Sequence, residues 1–160
     1  MGTSELATLD RVAAELAEAV VGATLPLGWI HGDLWSENIL VDGPALAISG
    51  LVDWDSASDA ALAAHDQLHL VLYTRKLLEG NEIGSQICRA LGTDPGWDAS
   101  EMAAIRAGTG HLPGTDEAAR QLAVRLYWLR LVAMNLLRQP RATRAQRWLD
   151  ANVRAVLACP

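Results

Sequence analysis

The sequence predicts a mainly helical α+β fold in which one small β-hairpin carries a polar loop. Most apolar residues recur at the three- and four-residue spacings of amphipathic helices. Two short runs, "NILV" and "ALAISGLVDW", instead have the composition of strands, and the turn signal Asp42-Gly43-Pro44 joins them. With 160 residues, 51% of them hydrophobic and 20% charged, the chain has the size and composition of one globular domain over residues 1–160.

The first predicted element is an amphipathic helix. Its apolar face, at spacings of three and four residues, consists of Leu6, Leu9, Ala13, Leu16 and Val20. Gly22 and Pro26 are expected to end this helix, because glycine is a weak helix former and proline lacks the backbone donor. The segment "GWIHG" then forms a short apolar approach to the polar loop.

Helices are predicted again after the hairpin. Ser58 or Asp59 can cap a helix that runs to Glu79, with Gly80 closing it. Thr115 is expected to cap a long helix whose leucine-rich stripe extends to residue 136. Shorter helices are predicted over residues 83–91 and 101–107, and a last one over residues 143–157.

The net charge of −6 is unevenly distributed along the chain. From Arg120 onward eight arginines outnumber one acid, Asp150, which leaves −13 on the first 119 residues. The acidity of the whole chain argues against a general nucleic-acid binder. The first 20 residues carry four acids and no basic start, and no apolar run approaches the length of a membrane span. We therefore expect neither a signal peptide nor a membrane partner, and a cytoplasmic location.

The two cysteines, Cys88 and Cys159, lie far apart and form no metal-binding or redox pattern. Unpatterned cysteines are typical of small buried hydrophobic residues or free thiols in a reducing compartment. A disulfide between them is the less expected state.

A cluster of hydrogen-bonding side chains surrounds the hairpin. His31, Asp33 and Asn38 lie before its first strand, in the polar loop of residues 31–38, and Asp53-Trp54-Asp55 follows its second strand. This order resembles the catalytic core of the protein-kinase-like phosphotransferases, in which an Asp and an Asn of one loop precede a metal-binding Asp. The start His-Gly-Asp is most similar to the aminoglycoside phosphotransferase and choline kinase group. The resemblance implies a protein-kinase-like C-terminal lobe.

The resemblance also implies a role for each matching residue. Asp33 would be the catalytic base that receives the proton of an acceptor hydroxyl, while His31 would orient the loop by bonding the backbone near Asp53. Asn38 and Asp53 would bind the Mg²⁺ that bridges the phosphates of ATP, and Asp55 would have a secondary metal-binding or loop-fixing role. Phosphoryl transfer depends mainly on positioning and charge neutralisation, which a loop and a hairpin can supply.

The segment "AAHDQLHL" allows two interpretations. In the resemblance, Asp66 matches a helical aspartate that anchors the catalytic loop through its backbone amides. Alternatively, His65 and His69 have the i, i+4 spacing of a zinc-dependent hydrolase, with Asp66 as the base and His111 as a remote third ligand. Histidines that satisfy buried polar groups are the commoner explanation of such spacing.

The nucleotide-binding lobe of that group has no counterpart in the sequence. It requires a glycine-rich strand-loop-strand and a strand lysine. The glycines before His31 are Gly2, Gly22 and Gly28, and the single lysine, Lys76, lies downstream. We therefore expect these residues alone to phosphorylate an acceptor poorly. Three explanations are open: the chain is a piece of a longer enzyme, it is half of a split kinase completed by a second chain, or it is a non-catalytic binding module. We also expect the surface that would face the other lobe to be exposed.

The acceptor remains open between a small hydroxylated molecule, an aminoglycoside, and a serine or threonine of a partner peptide. The carboxylates that could line a cleft for a polycationic aminoglycoside are Asp94, Asp98, Glu101, Asp116 and Glu117. The basic terminal helices weaken that interpretation. Trp97, Trp128 and Trp148 could line an acceptor pocket, although core packing is expected for the two on helices.

Overall fold

The structure is a computed structural model, and it describes residues 3–25, 27–110, 112–138 and 143–159. This part of the chain is mainly helical, with two separate two-stranded sheets, as the α+β prediction requires. The helices are α1 (Thr3–Ala19), α2 (Ala64–Glu79), α3 (Ile83–Leu91), α4 (Ala99–Thr109), α5 (Asp116–Arg138), α6 (Thr143–Leu149) and α7 (Ala155–Leu157). The strands are β1 (Leu27–Ile30), β2 (Ile39–Asp42), β3 (Ala47–Leu51) and β4 (Ser58–Leu62). Pro26, the predicted helix breaker, and His111, the remote zinc ligand, lie outside the described residues.

The predicted hairpin is confirmed. Strands β2 and β3 pair antiparallel, with Ile39 opposite Leu51 and Asp42 opposite Ala47. The turn between them takes Gly43 at φ 65°, a left-handed conformation that glycine adopts without steric cost. Because the strands are antiparallel, the polar loop before β2 and the residues after β3 lie at the same end of the hairpin.

The predicted start of the second helix is wrong. Ser58 and Asp59 do not cap it but begin β4, which pairs antiparallel with β1, and α2 starts only at Ala64. Both residues are typical of helix N-caps, so the local sequence favours a helix. The unpaired edge of β1, from a distant part of the chain, provides hydrogen bonds that the local sequence cannot show.

The remaining predicted helices are confirmed, with differences at their ends. Helix α2 ends at Glu79, after which Gly80 adopts φ 66°. Helix α3 has the predicted bounds, and α4 is two residues longer at each end. The Thr115 hydroxyl accepts a hydrogen bond of 3.3 Å from the Ala118 amide and caps α5 as expected. The last predicted helix consists of α6, a π-helical turn (Asp150–Arg154) and α7.

The core lies between α2, α3 and α5, with α4 and the C-terminal helical segment packed around them. Its most deeply buried side chains are Leu68, Leu72, Ile87, Ile105, Val124, Val132 and Val153. Burying one such side chain stabilises the fold by about 1.5–3 kcal/mol, so the cluster holds α2 firmly in place. Of the predicted face of α1, Leu9 and Leu16 are buried. None of the described helices is long and apolar enough to cross a membrane.

The expectation of unpaired cysteines is wrong. Cys88 of α3 and Cys159 form a disulfide, with their Cα atoms 5.8 Å apart. The C-terminal segment packs against α3, where the Gly84 amide also donates a hydrogen bond of 2.8 Å to Asn152 Oδ1. Tertiary packing therefore brings together two cysteines that are 71 positions apart, which their spacing in the sequence could not indicate.

Reducing the Cys88–Cys159 disulfide is expected to lower the free energy of unfolding by about 2–4 kcal/mol, because the bond restricts the unfolded chain over a long loop. Chemical denaturation followed by tryptophan fluorescence, with and without reductant, measures the difference. The variant Cys88→Ser should match the reduced protein and respond no further to reductant. Equal transition midpoints for the oxidised and reduced protein would contradict the expectation.

Candidate active site

The polar loop is attached to α2 through the Asp66 carboxylate. The His31 amide donates to Asp66 Oδ2 at 2.6 Å, and the Gly32 amide donates to Asp66 Oδ1 at 2.9 Å. Each carboxylate oxygen therefore accepts one hydrogen bond from the loop backbone, and bonds to a charged acceptor are stronger than neutral ones. The role predicted for Asp66, anchoring the loop through its amides, is confirmed.

Gly32 brings the loop close to the segment that follows β3. Its φ is 81°, and a Cβ atom at this position would lie 2.1 Å from the Ser56 carbonyl oxygen. Both the left-handed backbone and the close approach require glycine. The loop and the residues around Ser56 thus pack backbone against backbone.

His31 joins the loop to the residue before Asp53. Its ring is buried, and Nε2 lies 2.7 Å from the Val52 carbonyl oxygen. Since a carbonyl oxygen only accepts, Nε2 carries a proton and donates it. The ring also contacts Trp54, with centroids 4.6 Å apart. The predicted bond from His31 to the backbone near Asp53 is confirmed.

Asn38 is buried between Asp33 and the same segment. Its Nδ2 donates to the Asp33 carbonyl oxygen at 2.9 Å, and its own carbonyl accepts from the Val52 amide at 3.0 Å. Because the amide nitrogen is used for the Asp33 backbone, the side-chain oxygen is the atom of Asn38 that remains for a cation. The structure therefore brings Asp33 and Asn38 together, with Val52, the neighbour of Asp53, bonded to both His31 and Asn38.

Asp53 and Asp55 lie on an exposed turn after β3. Asp53 has φ 63°, a left-handed conformation that is uncommon outside glycine and costs on the order of 1 kcal/mol. Within the described chain, neither carboxylate forms a hydrogen bond or ion pair. No three His, Cys, Asp or Glu side chains cluster closely enough to hold a metal among the described residues. A cation held here by protein would need amide oxygen from Asn38 as well as carboxylate.

His65 and His69 point toward the loop rather than toward a common metal. Nε2 of His65 donates to the Gly32 carbonyl oxygen at 3.3 Å, and Nδ1 of His69 lies 3.0 Å from the Tyr127 hydroxyl. Their ring centroids are 5.9 Å apart. Each contact uses one ring nitrogen, and no third metal-binding side chain joins the two histidines among the described residues, so the structure gives the zinc alternative no support.

His69 contacts the candidate base directly, which the sequence did not indicate. Its Nε2 lies 3.0 Å from Asp33 Oδ1, a close electrostatic contact rather than an aligned hydrogen bond. A carboxylate only accepts, so a proton on Nε2 is the favourable state, with Nδ1 then accepting from the Tyr127 hydroxyl. Burial raises the pKa of Tyr127 well above its usual value, which keeps that hydroxyl protonated.

A small cavity of about 140 Å³ lies beside Asp33. It is lined by Gly32, Asp33, Ser56, His65, His69, Tyr73, Arg130, Leu131, Met134 and Asn135. Burial, followed by the negative charge of Asp33, raises the pKa of the Tyr73 phenol. The cavity is therefore lined by a candidate base, a neutral phenol and one guanidinium.

The five carboxylates considered for a cationic acceptor do not line this cavity. Asp98 caps α4, and Glu101 forms hydrogen bonds of 3.0 and 2.6 Å with Arg75. Asp94 bonds a loop amide, while Asp116 and Glu117 lie beside a separate pocket. The three candidate tryptophans are also elsewhere: Trp128 is buried in the core as expected, and Trp97 and Trp148 pack against the core.

Comparison with known families matches residues 3–99, more than half of the chain, to the phosphotransferase enzyme family. The chain belongs to this family, and the resemblance to aminoglycoside phosphotransferases is confirmed at that level. No curated protein and no solved structure matches the chain. The matched range contains the polar loop, the hairpin and the whole of α2.

Replacing Asp66 with alanine is expected to release the polar loop. Two backbone amides would lose their acceptor, at a cost of about 1–3 kcal/mol each. Asp66→Asn retains one accepting oxygen and should cost less, and Asp10→Ala, on the exposed side of α1, serves as the control. Hydrogen exchange at His31 and Gly32 reports the release. Unchanged exchange at both amides in Asp66→Ala would contradict the anchoring role.

Acidification is expected to destabilise the protein through His65. Burial, with the charge of Arg130 second, lowers its pKa from 6.5 to about 4. Between these values the unfolded chain binds a proton that the folded chain does not, so stability falls as the pH falls from 6.5 toward 4. The expected loss from this group between pH 7 and pH 5 is about 2 kcal/mol.

Denaturant unfolding at both pH values measures this loss. His65→Gln keeps a nitrogen donor for the Gly32 carbonyl but does not titrate, so its stability should change less over the same range. An equal change in both proteins would show that His65 does not titrate as expected.

Proposed function

We propose that residues 1–160 form the catalytic lobe of an ATP-dependent phosphotransferase with a protein-kinase-like fold. The reaction would transfer the γ-phosphoryl group of Mg-ATP to a hydroxyl group. The observation that carries this proposal is the attachment of the His-Gly-Asp loop to α2 by Asp66, in a chain of the phosphotransferase family. Phosphoryl transfer depends on fixed groups, and this attachment fixes the loop that holds Asp33 and Asn38.

In the proposed reaction Asp33 accepts the proton of the acceptor hydroxyl as its oxygen attacks the γ-phosphorus, and ADP leaves. His69 Nε2, 3.0 Å from Asp33 Oδ1, restrains the carboxylate, and the Tyr127 hydroxyl restrains His69 from the other side. A positioned general base of this kind contributes about 10²–10⁴-fold to the rate. His31 positions the loop and has no part in proton transfer.

The donors present fit a magnesium ion. Mg²⁺ prefers hard oxygen ligands and takes few of them from protein, so the Asn38 amide oxygen and the exposed Asp53 carboxylate are suitable. Asp55, on the same exposed turn, is the candidate for a secondary role. Bound with ATP, Mg²⁺ would neutralise charge on the phosphates. Through the bonds to Val52, His31 and Asn38 restrain the backbone that carries Asp53.

A nucleotide-binding lobe would have to come from outside these residues, either on the same polypeptide or on a second chain. The exposed apolar surface supports this part of the proposal. On the hairpin, Leu46 is 71% and Ile48 69% exposed, and Trp29 of β1 is 78% exposed. Large apolar side chains exposed in such numbers occur on surfaces that contact another protein. We propose the hairpin as the face that contacts the second lobe.

The cytoplasm is the proposed location. The Cys88–Cys159 disulfide argues in the other direction, because such bonds are rare in cytoplasmic proteins.

The isolated chain is expected to transfer phosphate far below the rates of about 1–100 s⁻¹ that are typical of kinases. A glycine-rich hairpin with a strand lysine, encoded next to this sequence and supplied in cis or in trans, should restore Mg-dependent ATP turnover. Asp33→Ala in the restored enzyme should then lower kcat by about 10²–10⁴-fold. Turnover by the isolated chain at kinase rates would refute the need for a second lobe.

The matched control is Asp10→Ala, which removes an exposed carboxylate of α1 far from the loop in sequence. It should leave kcat unchanged. Full activity of Asp33→Ala in the restored enzyme would refute the assignment of the base.

A further inference from the structure

The cavity beside Asp33 contains a guanidinium with an unused hydrogen-bonding capacity. Arg130 lies on α5, and its Nη2 makes a long contact of 3.4 Å with the Ser56 carbonyl oxygen. Its Nε is buried and has no hydrogen-bond partner in the described chain. A guanidinium has five donors, and the contact with Ser56 engages one of them, weakly, so the terminal nitrogens of Arg130 retain donors that suit an oxyanion.

The charges around the cavity support the same conclusion. Among the described residues, Asp33 is the one carboxylate that lines it, and Arg130 is the one guanidinium or ammonium side chain that does. At its edge Tyr73 stacks on His69, with ring centroids 4.2 Å apart, and Lys76 Nζ lies 4.7 Å from the centre of the Tyr73 ring. The cavity thus holds one guanidinium and one carboxylate, and the Lys76 ammonium group lies over the Tyr73 ring. A polycationic acceptor would meet Arg130 with Asp33 as its single described carboxylate in the cavity, because the five candidate acidic residues lie elsewhere.

We propose that the acceptor of this phosphotransferase is a small hydroxylated anion, with a carboxylate or phosphate group bound by Arg130 and a hydroxyl directed to Asp33. The inference rests on the proposed function and specifies its substrate class. The guanidinium fork matches the two oxygens of either oxyanion. The volume of about 140 Å³ is below the 300–1,000 Å³ usual for drug-sized ligands, which favours a compact molecule.

A series of three-carbon alcohols tests this proposal by charge alone. The probes are D-glycerate and glycerol 3-phosphate as anions, glycerol as the neutral analogue and serinol (2-amino-1,3-propanediol) as the cation. Binding to the full 160-residue chain is followed by NMR at the Gly32 and Asp33 amides, without nucleotide. We expect saturable shifts with the anions, at a Kd about tenfold or more below that of glycerol, and the weakest binding for serinol.

Variants then assign the preference to one side chain. Arg130→Gln should bring the affinity for D-glycerate to that for glycerol, while Arg130→Lys should retain part of the difference. Arg125→Gln is the matched control, since Arg125 lies on the same helix but lines a different groove, and it should change nothing. An arginine that only held the Ser56 carbonyl would not discriminate between charged and neutral probes. If Arg130→Gln disturbs the fold, the ligand series on the unmodified chain decides.

Equal affinity for the anions and glycerol, stronger binding of serinol, or no saturable shift with either anion would overturn the proposal. The comparison of D-glycerate with glycerol 3-phosphate decides between carboxylate and phosphate as the preferred group. Failure of this inference is distinguishable from failure of the proposed function. Phosphorylation of a neutral or cationic acceptor by the restored enzyme would support the function and refute the anion. Anion binding without any phosphoryl transfer by the restored enzyme would support the anion and refute the function.

Discussion

The arrangement of the site depends on one contact, the Asp66 carboxylate with the amides of His31 and Gly32. Core leucines on its inner face hold helix α2 in place. The hydrogen bonds to Asp66 hold the polar loop, which has no hydrophobic core of its own, against this helix. The contact is short in space but joins residues about 35 positions apart. Without it, the Gly32 approach to Ser56 and the bonds through Val52 would have to hold the loop unaided.

The first two turns of α2 provide a template for the loop. His65 donates to the Gly32 carbonyl, Asp66 accepts from the amides of His31 and Gly32, and His69 faces the Asp33 side chain. Helical periodicity places residues four apart on one face, so the two histidines follow the loop in order. Helix α5 completes the arrangement with Tyr127 and Arg130, which are also within one helical turn of each other. A rigid helix pair thus determines what surrounds Asp33, as preorganised sites require.

Local patterns predicted much of this arrangement, and tertiary contacts explain the rest. The hairpin, the bounds of α3 and the glycine closing α2 follow from turn chemistry and periodicity in neighbouring residues. The anchoring by Asp66 and the His31 contact followed from the family resemblance. Strand β4, the His69 contact and the Cys88–Cys159 bond were missed or mispredicted, because each depends on a partner far along the chain. Arg130 gave no signal either, since one arginine among several on a basic helix is not distinctive.

The oxidation state of the Cys88–Cys159 pair can indicate the cellular compartment in which the chain folded. Whether this pair is oxidised depends on the reduction potential of its surroundings, so the bond records the compartment in which the chain matured. Rapid acid quenching of native material, followed by thiol alkylation and mass spectrometry, would measure the fraction of this pair that is oxidised. The C-terminal segment would then serve as an internal reporter of where the protein resides.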